Sequence, residues 1–498
     1  MAQLNKNWVS HPNILEINTI PWLNELSEEY HEDIKLNTIP DEIIEKYLKN
    51  FNVVWLMGVW ERSPTSKRIA SEHLGLQEEF HKALDDFRED DIIGSPYAIH
   101  YYHIDTRLGG NKALVEFREK LAERNIKLML DYVPNHVAID HLWMLEKSNV
   151  FIQGTLEDLM MKPDEYFSKY GVIYAHGRDP NFPSWTDTVQ INAFSPDARN
   201  KTINTLLLIA EQCDAVRCDM AMLLTNDIFK RTWKDKTGNP LEKEFWIEVI
   251  LKVKEKYPDF KFIAEVYWDM EWDLIQQGFD FCYDKRLYDR IAAKDIKGIK
   301  DHLKADMSYQ KKLVRFIENH DEQRSIKKLG EDYSKIAALL VLTLPGMGFL
   351  YEGQMKGYNI RVPVQLKRRP IEEINKDLFD YYKNLLSLIS KRKIKSGNWE
   401  LCEIIVFKDS NNHNLSDNII AYHWWDFYNH FLIILNLSNT PSKGYIKIPS
   451  LQFNQKVILF EDMNTKENNF LHGEELNNYG YYAELLGWES NLFELRNL

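Results

Sequence analysis

Asp214-Ala-Val-Arg-Cys-Asp-Met-Ala-Met-Leu223 is an apolar run that breaks into Arg217 and Asp219, two residues apart. Read as a strand, it sends both side chains to one face, because successive side chains alternate. A guanidinium beside a carboxylate lowers the acid's pKa and keeps it ionised. An ionised, oriented aspartate is the form that covalent catalysis uses as a nucleophile. A purely structural ion pair has the same signature, so the choice rests on what surrounds the stretch.

Upstream, Ile203, Leu206, Leu207 and Ala210 recur at helical spacing and lead into it. Downstream come a helix carrying Trp246, Val249, Ile250 and Val253, a strand from Phe260 to Ala264, and a short helix from Met270. Further strands are predicted at Phe279–Tyr283, Leu313–Ile317 and Met347–Tyr351, with a helix over Lys335–Leu342. Toward the N-terminus, Asn13–Ile17 is a short apolar strand closed by Pro21, and Pro40-Asp41 opens a helix through Leu48. Asn52–Met57 is a continuous apolar run, as in buried parallel sheets. Gly58–Pro96 reads as a long polar and aromatic connection. A helix through Leu114, Phe117 and Leu121 is followed by a strand over Lys127–Asp131.

Strand and helix thus alternate about eight times, which predicts an α/β fold and, at this length, a (β/α)8 TIM barrel closed by a helix at Leu378–Ile389. Some sixty residues after Asn135-His136 lack clean periodicity and read as a small inserted domain after the third strand. Beyond Lys391, short β-rich runs separated by Asn/Ser/Gly turns predict a small antiparallel domain. The expected division is 1–133 with 194–395 for the barrel, 134–193 for the insertion and 396–498 for the C-terminal domain.

Composition narrows the partners. A chain of 498 residues exceeds the usual single core, and 44% hydrophobic residues suffice to build several. The net charge of −13 argues against nucleic acid and anionic membranes as partners. Fourteen Trp and 25 Tyr suit sugar faces as well as cores. The four cysteines form no CxxC pair, which argues against zinc. The N-terminus lacks the apolar core of a signal peptide, and no run reaches membrane-span length. The expectation is a cytoplasmic protein, or a secreted one whose leader has been removed. Oligomeric state is not readable from these features.

Four polar clusters fall just after apolar strand-like runs: Asp131 with Asn135-His136, Arg217 with Asp219, Glu265, and Asn319-His320-Asp321. In a barrel all strand C-termini converge on one face, so these clusters are expected to meet. Three carboxylates with an arginine and two histidines suit glycoside chemistry, in which one carboxylate attacks the sugar carbon and another protonates the leaving oxygen. Asp219 is the expected nucleophile. Glu265, between Ile263-Ala264 and Val266-Tyr-Trp268, is the expected acid, since apolar surroundings raise a carboxyl pKa.

Taken in order, these clusters resemble the α-amylase family, glycoside hydrolase family 13. Asp131-Tyr-Val-Pro-Asn-His136 is similar to its first motif, Ala215-Val-Arg-Cys-Asp219 to its second, Ile263-Ala-Glu265 to its third and Glu318-Asn-His-Asp321 to its fourth. Val54–Pro64, Gln190-Ile-Asn192 and Gly346–Gly353 also match. The resemblance implies Asp219 as nucleophile, Glu265 as general acid/base, and Asp321 as the residue that holds and distorts the reacting sugar. It implies that Arg217 orients Asp219, that His136 and His320 hydrogen-bond that sugar, and that Tyr97 stacks beneath it. It further implies a C-terminal β-sandwich, and a carbohydrate partner, an α-glucan or oligosaccharide. No cofactor is required for the chemistry. Asn135 matches a residue that binds structural calcium in many members; the alternative is a hydrogen bond bracing its loop.

One departure stands out. Many members carry Lys and His three and four residues after the nucleophile, where this chain has Met222 and Leu223. Tyr267 and Trp268 are expected to supply stacking on the leaving-group side instead. The reading is a retaining α-glycosidase, with a transglycosylase of the same family as the alternative and a non-catalytic glucan-binding member as the contrasting class.

Overall fold

A computed structural model describes residues 8–146, 149–408, 414–451 and 457–497. Residues 1–7, most of the stretch read for a leader, lie outside them. Eight parallel strands close a barrel: β1 (Asn13–Asn18), β2 (Val53–Met57), β3 (Lys127–Tyr132), β4 (Ala215–Cys218), β5 (Lys261–Ala264), β6 (Phe281–Tyr283), β7 (Leu313–Arg315) and β8 (Met347–Tyr351). Each pairs with its sequence neighbours, and β1 with β8 completes the ring. The strands are buried almost throughout, which accounts for their continuous apolar runs.

Register carries the functional information. Arg217 of β4 lies opposite Asp131 of β3 and Ile263 of β5. The ladder continues past the strand ends: Asp219 N–H donates to Tyr132 O (2.9 Å), and Glu265 N–H to Cys218 O (3.0 Å). Asp131, Arg217, Asp219 and Glu265 are therefore set side by side by main-chain hydrogen bonds.

Two predicted segments differ. Pro21 lies within the first turn of a helix over Thr19–Tyr30 rather than closing a strand, since a proline there removes no helical hydrogen bond. Gly58–Pro96 is not a plain connection. It holds a short ribbon strand (Trp60–Arg62) and helices over Pro64–Glu72 and Leu74–Ala83. The first helix starts from Ser63, whose side chain accepts from Ser66 N–H, with Pro64 at N1. That signal was present in the sequence, but few apolar residues mark the helical face.

Between β3 and the helix over Pro196–Gln212, the chain makes the expected excursion, built on two small antiparallel pairs (136–138 with 188–190, 166–169 with 172–175) and its own apolar cluster. The C-terminal region is a sandwich of a six-stranded and a three-stranded sheet. It includes strands over 468–472, 481–485 and 490–497 that the sequence reading did not resolve. Its strand over Ile419–Trp425 is buried on both faces: Ile419 and Ala421 face the sandwich core, while Ile420, Tyr422 and Trp424 join the barrel's. Among the described residues no helix is long and apolar enough to cross a membrane. All four cysteines are buried and free.

Candidate active site

The strand ends open into a cleft of about 830 Å³, whose lining includes Tyr97, His136, Asp219, Glu265, Trp268 and Asp321. Arg217, fully buried at its floor, is shared between two acids: Nη1 lies 2.7 Å from Asp219 Oδ1, and Nη2 lies 2.7 Å from Glu265 Oε2. Asp131 Oδ1 is further away, at 3.7 Å. Asp131 Oδ2 instead accepts from Gly58 N–H at 3.0 Å. Gly58 has φ +74, and a Cβ there would come within 2.9 Å of Arg62 Nη2, so both conformation and space call for glycine.

This sharing corrects the expectation for Asp219. Burial drives its carboxyl above the usual aspartate range, against the pull of Arg217. Arg217 pulls the pKa down and makes an otherwise costly buried carboxylate tolerable, but burial outweighs that pull. Burial also pushes Glu265 to about 7, with Arg217 opposing and Asp219 and Asp321 reinforcing the rise. With that value Glu265 is about half protonated at neutrality. Burial similarly raises Asp131, to about 7.

The turn after Asp219 completes the acid's surroundings. Met220 takes a left-handed conformation (φ 43), which costs a non-glycine residue roughly 1–2 kcal/mol. It is held there by Ala221 N–H donating to Glu265 O (3.0 Å) and Trp246 Nε1–H donating to Ala221 O (2.8 Å). In return, Met220 N–H donates to Glu265 Oε2 at 2.7 Å. Met222 and Leu223 turn into the core and are buried. They therefore offer the cleft no polar contact.

A second network stands across the cleft. His320 Nδ1 lies 2.5 Å from Glu16 Oε1, while Nε2 lies 2.7 Å from Tyr97 Oη and 3.0 Å from Asp321 Oδ2. Burial opposes charge on His320, but Asp321 and Glu16 overcome it and hold the imidazolium well above its ordinary pKa. Asp321 has a side chain 49% exposed to the cleft. The cost of leaving bulk water is outweighed by His320, which brings its carboxyl down to about 2. Tyr97 packs its ring against His320 (centroids 5.5 Å apart, 28° between planes) and also faces the Arg217 guanidinium (5.3 Å). Glu16, at the end of β1, was missed in the sequence because a lone acid within an apolar strand carries no motif.

His136 is buried at the cleft edge beside Trp185, its pKa lowered by burial to about 4, so it serves as a neutral ring. Trp185 and Phe182 of the inserted region also line the cleft; no regular spacing marked them in advance. Tyr267 and Trp268 divide their expected task. Tyr267 turns inward, its Oη donating to Glu265 Oε1 at 2.9 Å. Trp268 is 38% exposed and lines the cleft. It and Asp269 both take left-handed conformations (φ 62 and 61), fixed by Arg286 Nε donating to Asp269 Oδ1 at 2.6 Å.

The surroundings of Asn135 do not fit a calcium site. Its Oδ1 accepts from Gln190 Nε2 (2.9 Å), and its Nδ2 donates to Gln190 Oε1 (3.2 Å). This amide pair ties the loop after β3 to the returning strand of the insertion. Among the described residues, no group of three or more His, Cys, Asp or Glu side chains is placed to hold a metal.

A closed (β/α)8 barrel thus carries two carboxylates on one arginine at the C-terminal ends of β4 and β5, the face where enzymes of this fold hold their active sites. The family model for the alpha-amylase catalytic domain matches residues 46–384. The chain belongs to the alpha-amylase family. It is 24% identical over 300 residues to "Alpha-amylase 3" of Dictyoglomus thermophilum, covering 55% of each chain. It is 22% identical over 366 residues to a cyclomaltodextrinase of Geobacillus thermopakistaniensis, covering 68% of this chain and 56% of that one. The chain thus spans about half the length of the curated relatives it matches. The crystal structure of the maltogenic alpha-amylase AmyB from Thermotoga neapolitana superposes with a TM-score of 0.65 at 17% identity, covering 98% of this chain and 99% of that one. That likeness shows the shared fold.

Proposed function

We propose that this protein is a retaining α-glycosidase that cleaves α-glucosidic bonds of α-glucans or maltooligosaccharides through a covalent glycosyl-enzyme. The observation that carries the reading is the single guanidinium holding Asp219 and Glu265. One arginine cannot span the roughly 6.5–9.5 Å between carboxyls of an inverting pair as readily as the roughly 5–5.5 Å of a retaining pair.

In the first step Asp219 attacks the anomeric carbon while Glu265 gives its proton to the departing glycosidic oxygen. Glu265 Oε2 is already engaged by Arg217 and Met220 N–H, so the proton resides on Oε1. Tyr267 Oη donates to that same oxygen and so positions it. In the second step the Glu265 carboxylate takes a proton from water. The oxygen of that water bonds to the anomeric carbon, and Asp219 leaves as carboxylate. Asp321, His320 and Tyr97 hold the sugar throughout.

The test is proton NMR of EDTA-treated protein with a maltooligosaccharide series, starch and sucrose. The α-anomer is expected as the first product; a β-anomer would overturn the retaining mechanism. Products longer than the substrate would favour the transferase alternative. Intact binding without turnover would favour the non-catalytic one, against which stands the presence of all three carboxylates.

Leaving-group binding is proposed to rest on Trp268 rather than on a directed polar contact, since Met222 and Leu223 face the core. Trp268→Ala is expected to lower kcat/KM about 10-fold or more on long oligosaccharides, with a much smaller loss on an aryl α-glucoside. Equal losses on both substrates would remove the stacking role.

A further inference from the structure

We infer that the cleft is a dead end beyond the reacting sugar, so that the enzyme takes glucan chains from the non-reducing end and releases a short product of one fixed length. This rests on the α-glycosidase reading and specifies the substrate end it acts upon.

Direction follows from the barrel. In the ring order, β5 and β6 stand diametrically across from β1 and β2, with β8 beside β1. Glu265, Trp268 and Lys285 follow β5 and β6, so the leaving group, protonated by Glu265, departs over that rim. The chain on the other side of the reacting sugar has to run toward the opposite rim. That rim is formed by Ser95 and Tyr97 from the excursion after β2, and by Val364 and Gln365 from the segment after β8.

There the two segments are fused into a wall. Ile93 N–H donates to Gln365 O, and Lys367 N–H to Asp91 O, each at 2.8 Å. Arg368 grips Asp91 with two parallel hydrogen bonds of 2.7 and 2.8 Å, a charge-assisted pairing that fixes both position and angle. Buried Arg62 donates from Nη1 to Gly94 O and Val364 O, both at 2.7 Å, joining the two loops from beneath. Behind them Phe80, Leu84, Ile92, Val362 and Leu366 form a separate apolar cluster. A wall with its own packed core and main-chain pairing is not a lid that swings aside on binding.

Arg361 is the strut at its inner end. Its Nη2 donates to Glu79 Oε2 at 3.0 Å, and its Nη1 to Asp321 O at 3.3 Å. The outer side of this partition opens into a second groove of about 370 Å³. Of the residues lining the two spaces, Asp321 alone is common to both. Arg361 and Asp321 thus stand between the cleft and this groove, where a longer glucan would have to continue.

The experiment compares an aryl maltoheptaoside carrying a free non-reducing end with the same compound blocked there by a 4,6-O-ethylidene group. The blocked substrate is expected to react at least about 100-fold more slowly. Free maltoheptaose should yield one short product from the first turnovers. Comparable rates on both substrates, or mixed product lengths from the outset, would overturn the inference while leaving the α-glycosidase reading intact. Absence of turnover on both substrates, the free one included, would remove both readings. In Arg361→Ala, whose altered side chain lies on an exposed ion pair, the blocked-to-free rate ratio should rise about 10-fold. An unchanged ratio would overturn the assignment of the barrier to this wall.

Discussion

Asp219→Asn is expected to lower turnover on the order of 10⁴-fold or more, the scale seen when a covalent nucleophile is removed from a working constellation. The amide keeps the shape but cannot form the glycosyl ester. The fold should survive, because Arg217 retains its contact with Glu265 and loses only one of its two acids. A second consequence is specific to this arrangement. Asp219 helps to raise the Glu265 pKa, so its neutralisation should bring Glu265 down from about 7. Proton NMR or infrared titration of the variant reads that shift. The shorter variant Asp219→Ala offers a chemical check with azide and α-glucosyl fluoride. Azide is expected to bond to the anomeric carbon from the face that Asp219 used, expelling fluoride and giving β-glucosyl azide. Near wild-type turnover in Asp219→Asn, or α-glucosyl azide from Asp219→Ala, would falsify the nucleophile assignment.

Glu265→Gln is the second large effect, and it depends on the leaving group. General acid catalysis is worth roughly 10²- to 10⁴-fold, and a maltoside needs all of it because its leaving alkoxide is strongly basic. Fluoride departs without a proton, so α-glucosyl fluoride should lose far less. The pH dependence provides an independent reading. The proposed mechanism requires Glu265 protonated; since burial places its pKa at about 7, kcat/KM should fall as pH rises through that value. The acid limb belongs to Asp219, which must be ionised, and burial sets it above the ordinary aspartate range. In Glu265→Gln the alkaline limb should vanish from the residual maltoside profile, because the group that titrates is gone. Equal losses on both substrates, or an alkaline limb that persists unchanged, would exclude Glu265 as the acid.

The barrel and most residues of the candidate site were legible before any coordinates. Strands buried in a parallel sheet read as apolar runs, so Val53–Met57 and Met347–Tyr351 announced themselves, and amphipathic helices between the strands set the period. Strand-end polarity then identified Asp131, Arg217, Asp219, Glu265, His320 and Asp321, because a barrel gathers all its strand C-termini on one face. The helices at 64–83 escaped notice because their packing face is largely supplied by residues far away, such as Val362 and Leu366. The strands at 481–485 and 490–497 alternate weakly, and their partners lie far upstream, as far as His430 opposite Leu495.

The sequence by itself determined which residues stand at the mouth of the barrel and which two of them to propose as nucleophile and acid. These are properties of local alternation and of a ring that any regular barrel imposes. Only the tertiary structure decided that Arg217 serves both acids, that Glu16 charges His320 from behind, that Tyr267 faces the acid while Trp268 faces the cleft, and that a wall from β2 and β8 closes one rim. Each of those depends on the direction of a single side chain or on contacts between segments hundreds of residues apart. Burial, which sets the pKa of Glu265 and Asp219, is likewise a property of the assembled core and appears in no local stretch of the chain.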